Sequence, residues 1–343
     1  MEHFLIFFLF ALGLVMIIKG SDWFIDAVIW IASVFKIPYI LIGATIVSIC
    51  TTLPETFVSI TAALKNETEF AFGNAMGSIA ANTGFILAVL LIFAKPIIED
   101  KKHFVKNGIF LIALLVFNLL LGLILGEINR FFGLLMIGLL ILYLGNNVLS
   151  ARKSLKPGLK YDIESEEEME GELPLYEGVA FDMAERDIDI SRKVIIKYSI
   201  SFVVGISLVV MGSNFLVDNG IKIAKLLGVP SIVIAVTFTS IGTSLPELVT
   251  TISSIRKKVT NLGVGNIIGA NILNIIQVIA FSSTIKTISL AHDPSILYMQ
   301  IPITLAIVVM AVSFGAFSKK GFKRWQGFVL LAVYAVFIIL NII

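Results

Sequence analysis

The chain has 343 residues, of which 57% are hydrophobic and 15% charged, with a mean hydropathy of +0.97 and a formal net charge of +2. Soluble domains are close to half apolar and a quarter charged, so this composition excludes an ordinary soluble domain and indicates an integral membrane protein. A single cysteine, Cys50, excludes a disulfide framework and a four-cysteine metal site, and three scattered histidines show no metal-ligand spacing.

Ten apolar segments are long enough to cross a membrane, because a bilayer core of about 30 Å requires about 20 apolar residues in a helix. The predicted spans are residues 3–20, 39–64, 72–94, 105–125, 131–149, 194–217, 231–255, 263–286, 296–316 and 325–342. They predict an all-α membrane protein with ten transmembrane helices.

The first span lacks a basic start and a small-residue cleavage site, so we interpret it as a transmembrane helix rather than a removed signal peptide. Asp22 and Asp26 end or follow this span, and Asp218 has the same place in the second half of the chain. We interpret all three as helix-capping or interfacial residues, with ion binding as the alternative.

Glu55 lies in the middle of the second span, where a charged side chain costs at least ~2.5–3.5 kcal/mol and therefore marks a candidate functional site. Pro54 precedes it and frees a carbonyl of the preceding turn, which membrane proteins tolerate where that carbonyl lines a polar cavity. Thr51 is well placed to offer such a carbonyl, and Thr52 adds a hydroxyl. The alternative is a capping box, in which Thr52 and Glu55 only begin a helix, but a charge at the membrane centre favours ion binding.

The third span carries Asn74, Ser78 and Asn82 at intervals of four residues, so the three share one helix face. We expect Ser78 and Asn82 to face an ion site. For Asn74 a purely structural hydrogen bond between helices is an equal alternative. Gly73 and Gly77 form a GxxxG pair, which predicts the close approach of a neighbouring helix.

Residues 150–193 form the only long polar stretch and hold twelve of the 24 acidic residues. We interpret this stretch as a solvated cytoplasmic linker between a first five-helix repeat (1–149) and a second (194–343). A regulatory calcium-sensing segment is the alternative, although the spacing of an EF-hand is absent.

The second half repeats the first at an offset of 192 residues. Residues 44–55, ATIVSICTTLPE, match residues 236–247, VTFTSIGTSLPE, and Gly73-Asn74 matches Gly265-Asn266. The equivalents of the first-half candidates are Ser240, Thr243, Ser244, Pro246, Glu247, Ala270 and Asn274. Because five spans is an odd number, the second copy enters the membrane from the opposite side, which predicts an inverted-topology repeat with its binding site at the midplane.

Glu55 and Glu247 are thus expected to converge near the pseudo-twofold axis. Two nearby buried carboxylates require a cation or a proton, and calcium takes 6–8 oxygen ligands of this kind. With the N-terminus outside, 20 of the 26 Lys and Arg fall on the inner side. This excess predicts a multi-pass protein of the cell membrane with an outer N-terminus and a cytoplasmic 150–193 loop.

At these motifs the chain resembles the cation/calcium antiporter superfamily, whose two alpha-repeats carry G-T-S-L-P-E and G-N-x-x-G-S-N, and within it the prokaryotic sodium/calcium exchangers. The resemblance implies a secondary active antiporter that exchanges sodium for calcium by alternating access. It implies no enzyme activity and no cofactor, with Ca2+ and Na+ as transported ions. The other expected partner is the lipid bilayer, without nucleic acid, and the chain is expected to be monomeric.

The resemblance also implies ligand sets. Calcium would be bound by Glu55 and Glu247 and by the carbonyls of Thr51 and Thr243. Sodium would use the two glutamates together with Thr52, Ser78, Ser244 and the carbonyls near Ser48 and Ser240. The residues flanking the site would be Asn82, Asn274, Pro54 and Pro246.

Three departures from the family pattern leave the driving ion open. Ala270 stands where relatives often have serine, Asn274 where the potassium-dependent branch has aspartate, and Cys50-Thr51-Thr52 where Gly-Thr-Ser is usual. The alternatives are a potassium-dependent cation/calcium antiporter and a proton/calcium antiporter. Proton-coupled relatives usually carry G-N-x-x-E, whereas this chain has Gly77 and Gly269 at the last position.

Two other classes fit less well. An intramembrane protease needs paired aspartates, a serine–lysine or serine–histidine dyad, or a His-rich zinc motif within the spans, and the sequence has none. A channel typically assembles one pore from several subunits, whereas pseudo-symmetry within one chain favours alternating access.

Overall fold

The computed structural model describes residues 2–34, 48–98, 101–154, 191–256, 260–318 and 321–342. These residues form helices joined by short turns and one two-stranded bridge. The helices are α1 (Glu2–Val34), α2 (Ser48–Thr51), α3 (Leu53–Leu64), α4 (Thr68–Ala94), α5 (Lys101–Leu125), α6 (Arg130–Ser154), α7 (Arg192–Leu227), α8 (Ser231–Ile234, Ala235–Thr239 and Ser240–Thr243 in succession), α9 (Leu245–Arg256), α10 (Thr260–Leu273, Asn274–Ile279 and Ala280–Ile285), α11 (Ile296–Phe317) and α12 (Arg324–Ile342). The strands β1 (Glu127–Ile128) and β2 (Ile288–Ser289) pair antiparallel.

Nine helical stretches among the described residues are long and apolar enough to cross a membrane, counting α8 and α9 as one. Within the predicted span 39–64, only the short α2 and the twelve-residue α3 are described, and residues 35–47 lie outside the described residues. Large apolar side chains such as Ile124 and Phe131 are exposed at the surface, as expected where helices face lipid. The predicted all-α membrane architecture is confirmed.

Helices α1 and α7 are longer than the predicted spans 3–20 and 194–217. Asp22 and Asp26 lie inside α1 and Asp218 lies inside α7, so the prediction that they cap helices is wrong. A charged side chain by itself does not stop a helix, whereas a residue in the left-handed conformation after the last turn, usually glycine, does. Accordingly α7 continues to Gly228, where a φ of 69° and a bond from the Val229 N–H to the Ala224 carbonyl (3.0 Å) end it.

Glycines line the contact between α1 and α7. A β-carbon on Gly13 would lie 2.8 Å from the Gly212 carbonyl oxygen, and one on Gly20 would lie 2.7 Å from the Gly205 carbonyl oxygen. The two helices therefore pack backbone against backbone and run antiparallel. The 192-residue offset converts the first of these contacts into the second.

Helices α4 and α10 are the most deeply buried and carry the candidate asparagines. Each contains a π-helical segment, Asn82–Ile86 in α4 and Asn274–Ile279 in α10, and the two segments begin at equivalent asparagines. Such segments interrupt the regular helical hydrogen bonds and occur frequently at functional sites. The apolar pattern of the sequence predicts regular helix in both regions, so the π-helical segments differ from the prediction.

The predicted close approach at the GxxxG pair of the first half is present. A β-carbon on Gly77 would lie 2.5 Å from the Val236 carbonyl oxygen, and one on Gly73 would lie 2.6 Å from the Ile232 side chain, so α8 packs directly on α4. At the 192-residue offset the corresponding partners of Gly265 and Gly269 are residues 40–48, and residues 40–47 lie outside the described residues.

Candidate functional site

The site is built at two equivalent helix breaks. Thr52 separates α2 from α3, and Ser244 separates α8 from α9. Pro54 and Pro246, both buried, lie in the first turns of α3 and α9, where a missing N–H is tolerated because that turn has no helical partner to donate to. Thr52 occupies the N-cap position of α3, but its side chain makes no capping hydrogen bond. The hydroxyl half of the alternative capping box is therefore not formed in the first repeat.

Glu55 and Glu247 lie in the first turns of α3 and α9 and are almost fully buried, with exposed fractions of 0% and 1%. Their carboxyl groups are near enough to interact electrostatically. The Ser244 hydroxyl donates to Glu55 Oε1 at 3.2 Å, which joins the second half of the chain to the first. Among the described residues neither carboxylate has a salt bridge, and Oε2 of each has no hydrogen-bond partner.

Asn74 connects three parts of the site. Its Nδ2 donates to the Glu55 carbonyl oxygen (3.2 Å) and to Ser59 Oγ (3.0 Å). Its Oδ1 accepts from Thr243 Oγ1 (3.4 Å) of the second half. Because both ends of this amide are engaged by protein groups, the structure favours the helix-linking alternative for Asn74.

The other predicted side chains of α4 and α10 are buried and have oxygens that accept no hydrogen bond from the described residues. Ser78, Asn82 and Asn274 are at most 1% exposed. Ser78 Oγ, Asn82 Oδ1 and Asn274 Oδ1 have no hydrogen-bond partner in the part of the chain that the structure describes. A buried polar atom without a partner costs about 1–3 kcal/mol, so these three oxygens remain candidates for contact with a ligand.

Of the remaining predicted residues, Ser240 and Thr243 form side-chain hydrogen bonds with protein groups, and Thr51 and Ser48 are predicted to contribute backbone carbonyls. Ser240 Oγ donates to the Val236 carbonyl at 2.5 Å, and Thr243 Oγ1 also contacts the Ser240 carbonyl at 3.3 Å. Thr51 is buried at the end of α2. Ser48 begins α2, and its side chain lies outside the described residues.

Sequence reasoning did not single out the polar contacts that Asn82 makes across the two halves. Asn82 Nδ2 donates to Asn271 Oδ1 (3.1 Å), and Asn271 Nδ2 donates to Thr83 Oγ1 (2.7 Å). All three side chains are fully buried. The available signal was a polar residue within an apolar span, which membrane proteins retain only where it has a partner or a function.

The arrangement offers oxygen atoms and negative charge. In the described part of the chain, no three His, Cys, Asp or Glu side chains are grouped as a set of metal ligands. Two carboxylates surrounded by hydroxyl, amide and carbonyl oxygens suit hard cations such as calcium, and not the softer metals that prefer sulfur or imidazole.

Comparisons with known proteins agree over nearly the whole chain. The sequence profile of the family described as "Sodium/calcium exchanger protein" matches residues 5–149 and 197–343. The sodium/calcium exchanger MaX1 of Methanosarcina acetivorans is 27% identical over 360 residues, covering 97% of each chain. The inner membrane protein YrbG of Escherichia coli is 31% identical over 282 residues, covering 81% of this chain and 79% of the relative. A solved structure of the sodium-calcium exchanger NCX_Mj, soaked with Na+ and Ca2+, matches with a TM-score of 0.61 and 25% identity over 97% of both chains.

Proposed function

The chain belongs to the sodium/calcium exchanger family, and on that premise we propose that it is a secondary active antiporter that exchanges sodium for calcium across the membrane. It is a transporter and not an enzyme. The observation that carries the proposal is the pair of buried glutamates, Glu55 and Glu247, whose Oε2 atoms lack protein partners among the described residues.

In the proposed site both ions use the same two carboxylates. Calcium is bound by Glu55 and Glu247 with the carbonyls of Thr51 and Thr243. Sodium ions use the glutamates with a second set of oxygens, from Thr52, Ser78, Ser244 and the carbonyls near Ser48 and Ser240. Since the carboxylates are shared, a full set of sodium ions and a calcium ion exclude each other, which couples the two fluxes.

The transport mechanism we propose is alternating access between two inverted repeats. The cross-half bond from Ser244 to Glu55 and the interchange of the α1–α7 glycine contacts under the 192-residue offset support this pseudo-twofold arrangement. Helices α1 and α7 pack on each other through glycines, which suits them to slide or rock together and expose the site to one side at a time.

Charge balance favours an exchanger that does not need potassium. Two ionised carboxylates carry a charge of −2, which one calcium ion or two sodium ions neutralise and which three sodium ions convert to +1. A potassium ion bound together with calcium would also bring the site to +1, which the membrane interior disfavours without a third carboxylate. Asn274, an uncharged residue, occupies the position where the potassium-dependent branch has aspartate.

The test is calcium uptake by the purified chain in sodium-loaded proteoliposomes at clamped voltage. External potassium is either present or replaced by choline, and sodium, potassium and proton gradients are applied one at a time. We expect uptake that requires internal sodium and is unchanged without potassium. Uptake that collapses without potassium, or that persists without any sodium, would contradict the proposal and favour another branch of the superfamily.

A further inference from the structure

A buried glutamine crosses from the second half of the chain to the helix break beside Glu55. Gln277 lies in the π-helical segment of α10, between apolar neighbours, and is 2% exposed. Its Nε2 donates to Thr56 Oγ1 at 2.9 Å. Thr56 is the residue after Glu55 in α3 and is also buried. A buried amide in a membrane is costly unless it is paired, so this contact is a specific one.

The Thr52 carbonyl determines which group donates in each of the two hydrogen bonds. Thr56 Oγ1 lies 2.7 Å from the Thr52 carbonyl oxygen, and a carbonyl can only accept. The Thr56 hydroxyl proton is therefore used on Thr52, so Gln277 must be the donor to Thr56. The Thr52 carbonyl also accepts the Thr56 N–H at 3.1 Å. With both of its lone pairs engaged, this carbonyl is held in one orientation.

The second half has no equivalent of this chain of bonds. At the 192-residue offset, Leu248 replaces Thr56 and Phe85 replaces Gln277. The Ser244 carbonyl accepts the Leu248 N–H at 3.1 Å, and leucine has no hydroxyl to add a second bond. In the second half, Asn266 Nδ2 donates to Thr250 Oγ1 (3.3 Å), which donates to the Glu247 carbonyl (2.9 Å). Among the described residues, the carbonyl of the break residue itself therefore accepts a side-chain hydrogen bond only in the first half.

We propose that Gln277 is a positioning residue that fixes the Thr52 break and thereby sets the affinity for sodium. This inference rests on the proposed function. Thr52 supplies a hydroxyl to the proposed sodium ligands, whereas the proposed calcium ligands are two carboxylates and the carbonyls of Thr51 and Thr243. A group that holds the Thr52 carbonyl in place should therefore affect the affinity for sodium more than the affinity for calcium. In other metal sites, groups that orient a ligand without binding the metal change the affinity for the metal in this way.

The test compares Gln277→Leu, Thr56→Val and the double variant in the full-length chain in proteoliposomes. The readouts are the sodium concentration and the calcium concentration that give half-maximal exchange. We expect each single variant to raise the sodium value about 10-fold, the low end of effects for outer groups at metal sites, and to change the calcium value less than about 2-fold. The double variant should be no worse than either single variant, because both remove the same chain of bonds.

Two controls separate positioning from general structural damage. Thr56→Ser keeps the hydroxyl and should retain wild-type sodium dependence. Gln300→Leu removes another buried glutamine, bonded to Ser295 at 3.4 Å, and should leave the ratio of the two half-maximal concentrations unchanged. If Gln277→Leu does not fold, Thr56→Val, which preserves the side-chain shape, provides the same measurement.

The inference is overturned if folded Gln277→Leu or Thr56→Val keeps the wild-type ratio of sodium to calcium values, or if their effects add. The proposed function would still stand after that result if the wild type shows sodium-driven calcium uptake and the Glu55→Gln variant shows none. A wild type without sodium-driven calcium uptake would instead refute the proposed function itself.

Discussion

At the scale of single residues, the defining feature is a pair of buried carboxylates that have no salt bridge with the described residues. Burial at 0% and 1% exposure removes Glu55 and Glu247 from water. The Ser244 hydroxyl donates to Glu55, and no Lys or Arg among the described residues forms a salt bridge with either carboxylate. Under these conditions the folded protein favours occupancy by a cation or a proton. For the same reason we expect calcium exchange to require both glutamates.

We expect Glu55→Gln and Glu247→Gln each to reduce calcium exchange to about 1% of wild type or less, because losing one partner of a buried charged site costs about 3–5 kcal/mol. Both variants should remain folded and monodisperse on size-exclusion chromatography, since glutamine preserves the side-chain shape. Calcium flux in proteoliposomes is the measurement, and Glu127→Gln on the exposed strand β1 is the matched control. Robust flux in either glutamine variant would refute the assignment.

Asn274 tests the charge argument from the opposite direction. Asn274→Asp introduces a third carboxylate at the position where Asn274 Oδ1 has no hydrogen-bond partner among the described residues, so the site should accept one more positive charge. We expect a changed sodium cooperativity or a new potassium dependence, measured as the charge moved per calcium ion. This change should be larger than the effect of Asn82→Ala on calcium binding. An unchanged ion dependence in the aspartate variant would argue against the charge-balance account.

Single residues also show how much of the candidate site the sequence predicts. Glu55 and Glu247 could be predicted because a charge within an apolar span is conspicuous and because the repeat marks it twice. Gln277 and Asn271 could not be paired with Thr56 and Asn82, because these contacts join the halves without obeying the repeat. No local pattern encodes a contact between residues about 190–220 positions apart.

At the scale of elements, breaks and π-helical segments position the site more than helix length does. The prolines predict freed backbone carbonyls within continuous spans, because proline has no N–H to donate, whereas the structure divides the helices at Thr52 and Ser244. The π-helical segments beginning at Asn82 and Asn274 were not predicted, since a π-helical turn has no composition signal comparable to proline. Helices α1 and α7 extend beyond the predicted spans 3–20 and 194–217, because the aspartates after those spans do not end the helices.

The α1–α7 contact makes a prediction at this scale. Gly20→Ala and Gly212→Ala should each lower the free energy of unfolding by about 1–3 kcal/mol, because the new methyl group would meet backbone atoms of the facing helix. The two losses should be similar, since the positions are equivalent in the repeat. Thermal unfolding in detergent measures the effect.

Gly138→Ala is the matched control for this pair, because a β-carbon there meets no described atom within 4 Å. Alanine is a better helix former than glycine, so the control should be neutral or slightly stabilising. If the Gly20 variant is as stable as the Gly138 variant, the close packing of α1 on α7 is wrong.

At the scale of the whole molecule, none of the candidate site residues belongs to the acidic stretch 150–193. Residues 155–190 within it lie outside the described residues, and every candidate site residue lies in the helices on either side. We expect a chain lacking most of residues 160–190 to retain basal calcium exchange. A shortened protein that folds normally but moves no ion at saturating calcium would contradict this and favour a regulatory role for the stretch.

The dependence of each half on the other has a consequence for biosynthesis. Ser244 meets Glu55, Gln277 meets Thr56 and α7 packs on α1, so the first half emerges from the ribosome before its partners exist. At about 5–20 residues per second, the 192 residues that separate equivalent positions take about 10–40 s to translate. During that interval the nascent chain carries an uncovered glycine face and an unsupported glutamate. Membrane quality-control proteases would therefore find it most vulnerable at this stage, before the second half inserts.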